Sequence, residues 1–322
     1  VIFPTHIITG MTSLRTVVLI LALTLVVYVF TSLLALQQIG DIEGRVSGIH
    51  GVIQAGQFLG LGLVIAWLYI VLGRRRDPLK IFFFYLMLVA MVLLLMTGTR
   101  AAILAIFLTM IFAYWFAHVD WIERIFNQPH KTYVAIVISI LIVVTSLLVL
   151  RSVLPHEVYD RYTSIEHFFS NFMPDEIRYW QYSAGRSLNY VSAVKAFMAH
   201  PVIGSGAGGY VDTFREYRRI PISEDGMAHI YPHNILLEFA AEQGTLGFVL
   251  VLCVLYLNLR MILKLRSAYQ YEKQNMFLVC CCIYIYGLCV AMTSLDVPKM
   301  VILWWGMGLL LVCLLYTSPS PR

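Results

Sequence analysis

The chain has 322 residues, of which 60% are hydrophobic and 13% are charged, and its mean hydropathy is +0.78. A soluble domain carries about a quarter charged residues, so this composition excludes an ordinary soluble protein. The net charge of +5 is scattered between apolar segments, which excludes a nucleic-acid-binding surface.

Apolar runs of about twenty residues, each long enough to cross a bilayer as a helix, recur along the chain. They predict an all-α fold, a polytopic transmembrane helix bundle of about eight spans with a large external loop that contains short helices. The predicted spans are residues 14–36, 51–72, 79–96, 101–118, 133–150, 235–259, 276–293 and 299–315. Residues 1–150 then hold five spans, residues 151–234 form the external loop, and residues 235–312 hold three spans.

The basic residues of the short connections set the orientation, because connections rich in Lys and Arg stay in the cytoplasm. If successive spans alternate in direction, three basic connections lie on the same side of the membrane, which is then the cytoplasmic side. Their basic residues are Arg74, Arg75, Arg76, Lys80, Arg124, Lys131, Arg260, Lys264, Arg266 and Lys273. The connections 37–50, 97–100, 151–234 and 294–299 are then expected to face the outside.

The cysteines lie in apolar segments and none forms a spaced pair in a polar loop, so we predict neither a disulfide framework nor a zinc site. They are Cys253, Cys280, Cys281, Cys282, Cys289 and Cys313. Free cysteines in such segments behave as small buried hydrophobic residues.

The final segment, CLLYTSPSPR (Cys313–Arg322), resembles the translation of an adapter used in sequencing libraries. We therefore leave residues 313–322 out of the predicted domains. We expect the chain to be a fragment that lacks native sequence at both ends.

Arg100 lies at the outer mouth of the fourth predicted span, directly after a turn that contains Gly98. An ionisable residue at this depth is a candidate functional residue. The alternative is that its side chain only extends into the lipid head groups.

A loop as long as residues 151–234 usually has a function. Its segment LNYVSAVKAFM (residues 188–198) has apolar residues near helical spacing, which predicts a helix on the membrane surface or under the spans. Arg186, just before it, is either a functional cation or a solvated loop residue. A second short helix is predicted over VDTFREYRRI (residues 211–220). It carries Arg215, Arg218 and Arg219.

The segment HPVIGSGAGGY (His200–Tyr210) between these helices predicts a glycine-rich turn. It neither follows a strand nor opens a nucleotide-binding helix, so the dinucleotide and P-loop interpretations fail. Two interpretations remain for its backbone amides, an anion-binding nest or a plain turn.

The segment AHIYPHNILLEFAAEQGTLGF (Ala228–Phe248) predicts another helix. Pro232 suits its start, because the missing N–H of proline is not needed in the first turn. The helix is expected to run to Gln243. Gly244 and Gly247 then allow a break before the half that crosses the membrane.

Polar side chains are concentrated on this helix. Asn234, Glu238 and Glu242 are spaced by four and share one face, and His233 starts the neighbouring stripe. His229 lies four residues before His233, but a proline between them removes the continuous helix face that an HExxH-type metal site uses, so we predict no metal. His233 is then either a structural residue or a catalytic one.

Together these residues suit a transfer from a phosphate-activated donor to a hydroxyl at the membrane surface. A histidine can take a proton from a hydroxyl near neutral pH. Arginines can hold a phosphate by paired, charge-assisted hydrogen bonds of about 1.5–3 kcal/mol each. This chemistry requires no cofactor, and we expect none.

Three segments, TGTRAA, GRSLNYVSAVKAFMAHPVIGSGAGGY and PHNILLEFAAEQGTLGF, occur in this order around the external loop. They resemble the O-antigen ligase and polymerase superfamily, most strongly over residues 95–260 and more weakly over residues 45–73. The combination of HPxxGxGxGxY with PHNxxLExxxExG carries the resemblance. Thr99 departs from it, since the family pattern has a serine before the arginine.

The resemblance implies a membrane glycosyltransferase of the bacterial inner membrane with its active site facing the periplasm. It implies an undecaprenyl-diphosphate-linked glycan as donor. It implies lipid A–core as the acceptor of a ligase, which we favour, or a carrier-linked glycan as the acceptor of a polymerase. We predict an inverting, metal-independent transfer.

The resemblance also implies roles for individual residues. His233 would be the base or would orient the acceptor, and Arg100 and Arg186 would bind the diphosphate. The remaining candidates for substrate contacts or for orienting the helix are Arg215, Arg218, Arg219, Asn234, Glu238 and Glu242.

Two other classes of protein remain as alternatives. A transporter of a lipid-linked or anionic solute predicts charged residues deep within several spans, whereas the predicted spans are nearly free of charge at mid-depth. A non-catalytic assembly protein gives no reason to place Arg100, Arg186 and His233 on one side of the membrane.

Overall fold

The computed structural model describes residues 52–72, 79–126, 185–218, 231–266, 271–294 and 297–315, and a few positions between 23 and 31. Within these ranges the regular structure is helical and contains no strand, which confirms the predicted all-α class. The predicted span over residues 133–150, and nearly all of that over residues 14–36, lie outside the described residues.

The described helices follow the apolar segments of the sequence, except for the short polar helix Tyr210–Arg218. They are α1 (Val52–Leu72), α2 (Leu79–Thr97), α3 (Arg100–Phe126), α4 (Gly185–Ala199), α5 (Tyr210–Arg218), α6 (Ile235–Arg266), α7 (Tyr271–Ala291) and α8 (Val301–Leu315), with a 3₁₀ turn at Val297–Lys299 before α8.

Among the described helices, α1, α2 and α6 are long and apolar enough to cross a membrane. Helices α3, α7 and α8 add shorter apolar segments at Arg100–Phe116, Phe277–Ala291 and Val301–Leu314. The total of eight spans stays a prediction.

The chain divides into two compact units, and the first contains α1, α2, α3 and residues 275–286 of α7. Helix α1 supplies its interior, since Leu59, Leu63 and Leu68 are almost fully buried. The rings of Tyr69 and Phe83, 4.7 Å apart, join α1 to α2. Helix α2 exposes many large apolar side chains, as a lipid-facing helix requires.

A tight turn joins α2 to α3 inside this unit. Gly98 has a φ of 66°, a conformation that favours glycine, and the Thr99 amide donates to Thr97 Oγ1 at 3.2 Å. Gly56 of α1 lies directly against Thr97 and Thr99, which leaves no room for a side chain at position 56. The turn is therefore buried, while Arg100 begins α3 with an exposed side chain.

The second unit contains α4, α5, α6, α8 and residues 271–274 and 287–291 of α7. A buried apolar cluster joins α4, α5 and α6. Its members are Ala193, Ala196, Tyr210, Phe214 and Ala241. The hydroxyl of Tyr210 donates to the Asn189 carbonyl at 3.1 Å, and burial raises the pKa of Tyr210, so this hydroxyl stays protonated as a donor. The two short helices predicted in the external loop are confirmed as α4 and α5.

Candidate functional site

Helix α6 begins at Ile235, so the predicted start at Pro232 is wrong by three residues. Asn234 is the N-cap, since its Oδ1 accepts the amides of Leu236 at 3.0 Å and Leu237 at 3.1 Å. An asparagine in this position satisfies two of the free N–H groups of the first turn. Pro232 lies outside the helix because His233, between it and the cap, has a positive φ of 57°.

The conformation of His233 is unusual for a residue that is not glycine. A left-handed residue of this kind costs about 1–3 kcal/mol and persists only where its neighbours hold it, often at functional sites. The ring of Tyr231 is one such neighbour, with its centroid 4.2 Å from the imidazole centroid. The imidazole is half-buried and its Nδ1 atom is shielded from solvent. His233 is thus held in one orientation at the entrance of α6.

Lys299 and Tyr231 also belong to this site, although neither was among the residues predicted from the sequence. The Lys299 ammonium lies over the Tyr231 ring, 5.6 Å from its centroid. Such a contact contributes about 0.5–2 kcal/mol, depending on solvation. One sequence signal could have found Lys299, because it is a basic residue in a short connection expected to face the outside, against the usual charge bias.

The N-cap Asn234 and Glu238 in the first turn of α6 hold the segment that leads to Lys299. The buried carboxylate of Glu238 accepts the Val297 amide at 2.9 Å through Oε1. The side-chain amide of Asn234 donates to the Met292 carbonyl at 3.0 Å. Both bonds join the first turn of α6 to the residues that connect α7 to α8, so they position the 3₁₀ turn beside the site.

Gly244 breaks α6, as the sequence predicts. Its φ of 64° and ψ of −157° interrupt the helix and release backbone groups on both sides. The turn between α4 and α5 satisfies these groups. The bonds are Ser205 N to Ala241 O (3.0 Å), Gly206 N to Glu242 O (2.9 Å), Thr245 N to Pro201 O (2.8 Å) and Leu246 N to Val202 O (3.4 Å). Backbone hydrogen bonds therefore join the glycine-rich turn to the break in α6, and we call this contact the junction.

This junction decides between the two interpretations of the glycine run. The amides of Ser205 and Gly206 donate to carbonyls of α6, and the Gly208 amide donates to Glu242 Oε1 at 2.9 Å. These three amides are directed at the protein, so the anion-nest interpretation is wrong for them and the turn interpretation holds. Glu242 acts here as an acceptor that stabilises the turn.

The side chains of the predicted polar face of α6 contact two different neighbours. Asn234 and Glu238 contact the segment between α7 and α8, whereas Glu242 contacts the glycine turn. At about 100° per residue, a spacing of four advances by about 40°, so eight residues turn the side chain by about 80°. This drift is large enough to direct Glu242 to a different neighbour.

The predicted arginines occupy several elements. Arg100 is the first residue of α3 in the first unit. Arg186 lies in the first turn of α4 and Arg218 ends α5, with both side chains outside the described part, and Arg219 itself is outside it. Arg215 is half-exposed on α5 and pairs with Asp212 at 3.5 Å. An exposed pair of this kind contributes little to stability, which leaves the Arg215 guanidinium available to a ligand.

Replacing the cap residue tests this geometry. Asn234→Ala is expected to lower the free energy of unfolding by about 1–2 kcal/mol, because it removes the cap and the bond to Met292. Asn234→Asp keeps the acceptor and is expected to lose less. Chemical unfolding of both purified variants measures the difference, and equal losses would contradict the assigned cap.

Comparison with known families adds to this geometry. The sequence model of the family described as O-antigen ligase matches residues 85–252, just over half of the chain. The matched region includes Arg100, the glycine turn, His233 and the break in α6. A search of curated proteins finds none that matches the chain.

Proposed function

This chain belongs to the O-antigen ligase family, and from that membership we propose that it transfers a glycan from an undecaprenyl-diphosphate carrier to a hydroxyl of lipid A–core. The family and the apolar helices identify a membrane protein of glycosyltransferase type. The proposed reaction takes place at the periplasmic face of the bacterial inner membrane.

The observation that carries this proposal is the restrained imidazole of His233. Its left-handed backbone, the adjacent Tyr231 ring and the shielded Nδ1 fix the orientation of the side chain. With Nδ1 shielded, Nε2 is the nitrogen proposed to accept a proton. A positioned base that takes the proton of an acceptor hydroxyl accelerates transfer to that hydroxyl by about 10²–10⁴-fold.

The proposed step is a single displacement. The acceptor oxygen forms a bond to the anomeric carbon of the donor glycan while the bond from that carbon to the diphosphate oxygen breaks. The acceptor proton moves to His233, and the electron pair of the broken bond leaves with the diphosphate. Attack from the side opposite the leaving group inverts the anomeric centre.

The leaving diphosphate gains negative charge during this step, and cations lower the barrier by stabilising it. We assign this role to Arg100 and Arg186. The proposal gives Arg215, Arg218 and Arg219 secondary contacts with donor or acceptor. Glu238 and Asn234 position the start of α6 and Glu242 holds the turn, which is supported by their hydrogen bonds.

Arg100→Lys tests the role of the guanidinium. Lysine retains the charge but lacks the planar fork that binds a phosphate by two bonds. Loss of one charge-assisted bond of about 1.5–3 kcal/mol predicts a decrease of about 10- to 100-fold in the transfer rate. Arg260→Lys, near the C-terminal end of α6, is the matched control and is expected to transfer normally. A normal rate for Arg100→Lys would contradict the assignment.

The function itself is tested by a transfer assay with the purified protein in vesicles. The donor is a synthetic glycan on undecaprenyl diphosphate, lipid A–core and carrier-linked glycan are offered separately, and EDTA is present. Product on lipid A–core supports the ligase, and elongated carrier-linked glycan identifies a polymerase instead. An intact donor in both reactions would overturn the proposal, and activity only without EDTA would overturn its metal-independent form.

A further inference from the structure

Three large apolar side chains project from the end of α4 and the turn that follows it. Met198, Val202 and Ile203 are 73%, 62% and 73% exposed. We call these three residues the apolar tip. Large apolar side chains that are all this exposed within one short segment indicate a contact with another molecule or with a membrane.

The apolar tip is fixed to the break in α6 by backbone hydrogen bonds. Pro201 and Val202 accept the amides of Thr245 and Leu246, and Thr245 Oγ1 also donates to the Pro201 carbonyl at 2.8 Å. Gly204 lies directly against the backbone of Glu242. The depth of the break in the membrane therefore sets the depth of the tip.

The length of α6 places this break within or at the edge of the hydrocarbon. Arg260 is the first basic residue after the break, and the stretch from Leu246 to Leu259 is about 21 Å long at about 1.5 Å per residue. Even if Lys264 marks the cytoplasmic boundary, the apolar stretch is about 27 Å long. Both lengths are shorter than the hydrocarbon thickness of about 30 Å, and tilting the helix shortens its reach further.

The apolar tip is also continuous with the lipid-facing surface of α6. Leu246 and Leu250, just beyond the break, are 65% and 59% exposed, and the Leu246 amide is bonded to Val202 of the tip. We propose that the apolar tip inserts among the acyl chains of the outer leaflet, as a short re-entrant turn that closes the break in α6. Within lipid the broken helix would otherwise leave backbone groups without hydrogen bonds, at several kcal/mol each.

This inference does not depend on the proposed reaction, but it has a consequence for the site. The segment from Ile235 to Gln243 rises about 14 Å from the break. An inserted tip holds the start of α6, with His233, at the height of the lipid head groups, where the phosphates of a lipid carrier lie.

Spin-label accessibility in the full chain tests the insertion. Ile203→Cys is labelled with a nitroxide in a Cys253→Ser background, because Cys253 is the exposed cysteine among the described residues. The protein is reconstituted in vesicles of phosphatidylethanolamine and phosphatidylglycerol. Collision rates with oxygen, which concentrates in lipid, and with a water-soluble nickel chelate are then compared.

Two reference labels define the possible outcomes. Leu250→Cys represents lipid and Asp212→Cys, whose side chain is 82% exposed on α5, represents water. The oxygen-to-nickel ratio at Ile203 is expected to match that at Leu250 and to exceed that at Asp212 several-fold. A ratio like that at Asp212, or weak collisions with both reagents as in a protein contact, would overturn the proposal. Met198→Cys repeats the measurement at a second position of the tip.

Discussion

His233→Asn is expected to lower the rate of glycan transfer by about 10²–10⁴-fold and to leave the protein folded, because a positioned base contributes about this factor. Asparagine is chosen because it tolerates the left-handed backbone that His233 adopts, so the substitution removes the imidazole without changing the backbone requirement. The rate is measured with a saturating synthetic donor, and thermal unfolding of the same preparation checks the fold.

Two further variants separate chemistry from conformation. His233→Ala loses the imidazole and also introduces left-handed strain of about 1–2 kcal/mol, so it should be both inactive and less stable. His200→Ala, in an exposed position of the turn, is the control and should transfer like the parent. A normal transfer rate for His233→Asn would show that His233 has only a structural role.

Local patterns were sufficient to predict most of the described helices. Helices α1 and α2 lie within one residue of their predicted bounds, because a continuous apolar run in a bilayer determines the helix directly. Apolar spacing predicted α4, and Gly244 predicted the break in α6. These features depend on side chains close in sequence, which is why periodicity and single glycines reveal them.

The contacts that complete the site could not be predicted in the same way. Ser205 and Ala241 are 36 positions apart, and the hydrogen bonds from the Ser205 amide and hydroxyl to the Ala241 carbonyl leave no periodic pattern in either segment. Lys299 reaches Tyr231 through a turn held by Glu238, again across a long stretch of chain. The predicted start of α6 was wrong because Pro232 and Asn234 both favour the start of a helix. In the structure Asn234 is the N-cap, and the helix begins after it.

Gly204→Ala is expected to lower the free energy of unfolding by about 2–5 kcal/mol. A left-handed alanine costs about 1–2 kcal/mol, and the new Cβ would overlap the backbone of Glu242 and Gln243, where overpacking typically costs about 1–3 kcal/mol more. Gly206→Ala is the matched control, because its φ of 85° is also positive but no atom lies within 4 Å of the added Cβ. Titration with SDS in mixed micelles measures both variants, and Gly206→Ala should lose only the left-handed strain.

Combining Gly204→Ala with Gly244→Ala tests whether both substitutions disrupt the same contact between the turn and α6 or act independently. A Cβ on Gly244 would contact the backbone of Val202 and Gly204, so both substitutions separate the same two segments. Once the first has opened the junction, the second has less to disrupt, and the double variant should be more stable than the sum of the single losses predicts. Additive losses, or equal losses for Gly204→Ala and Gly206→Ala, would mean that the turn does not pack against α6 as described. The apolar tip would then have no fixed depth in the membrane.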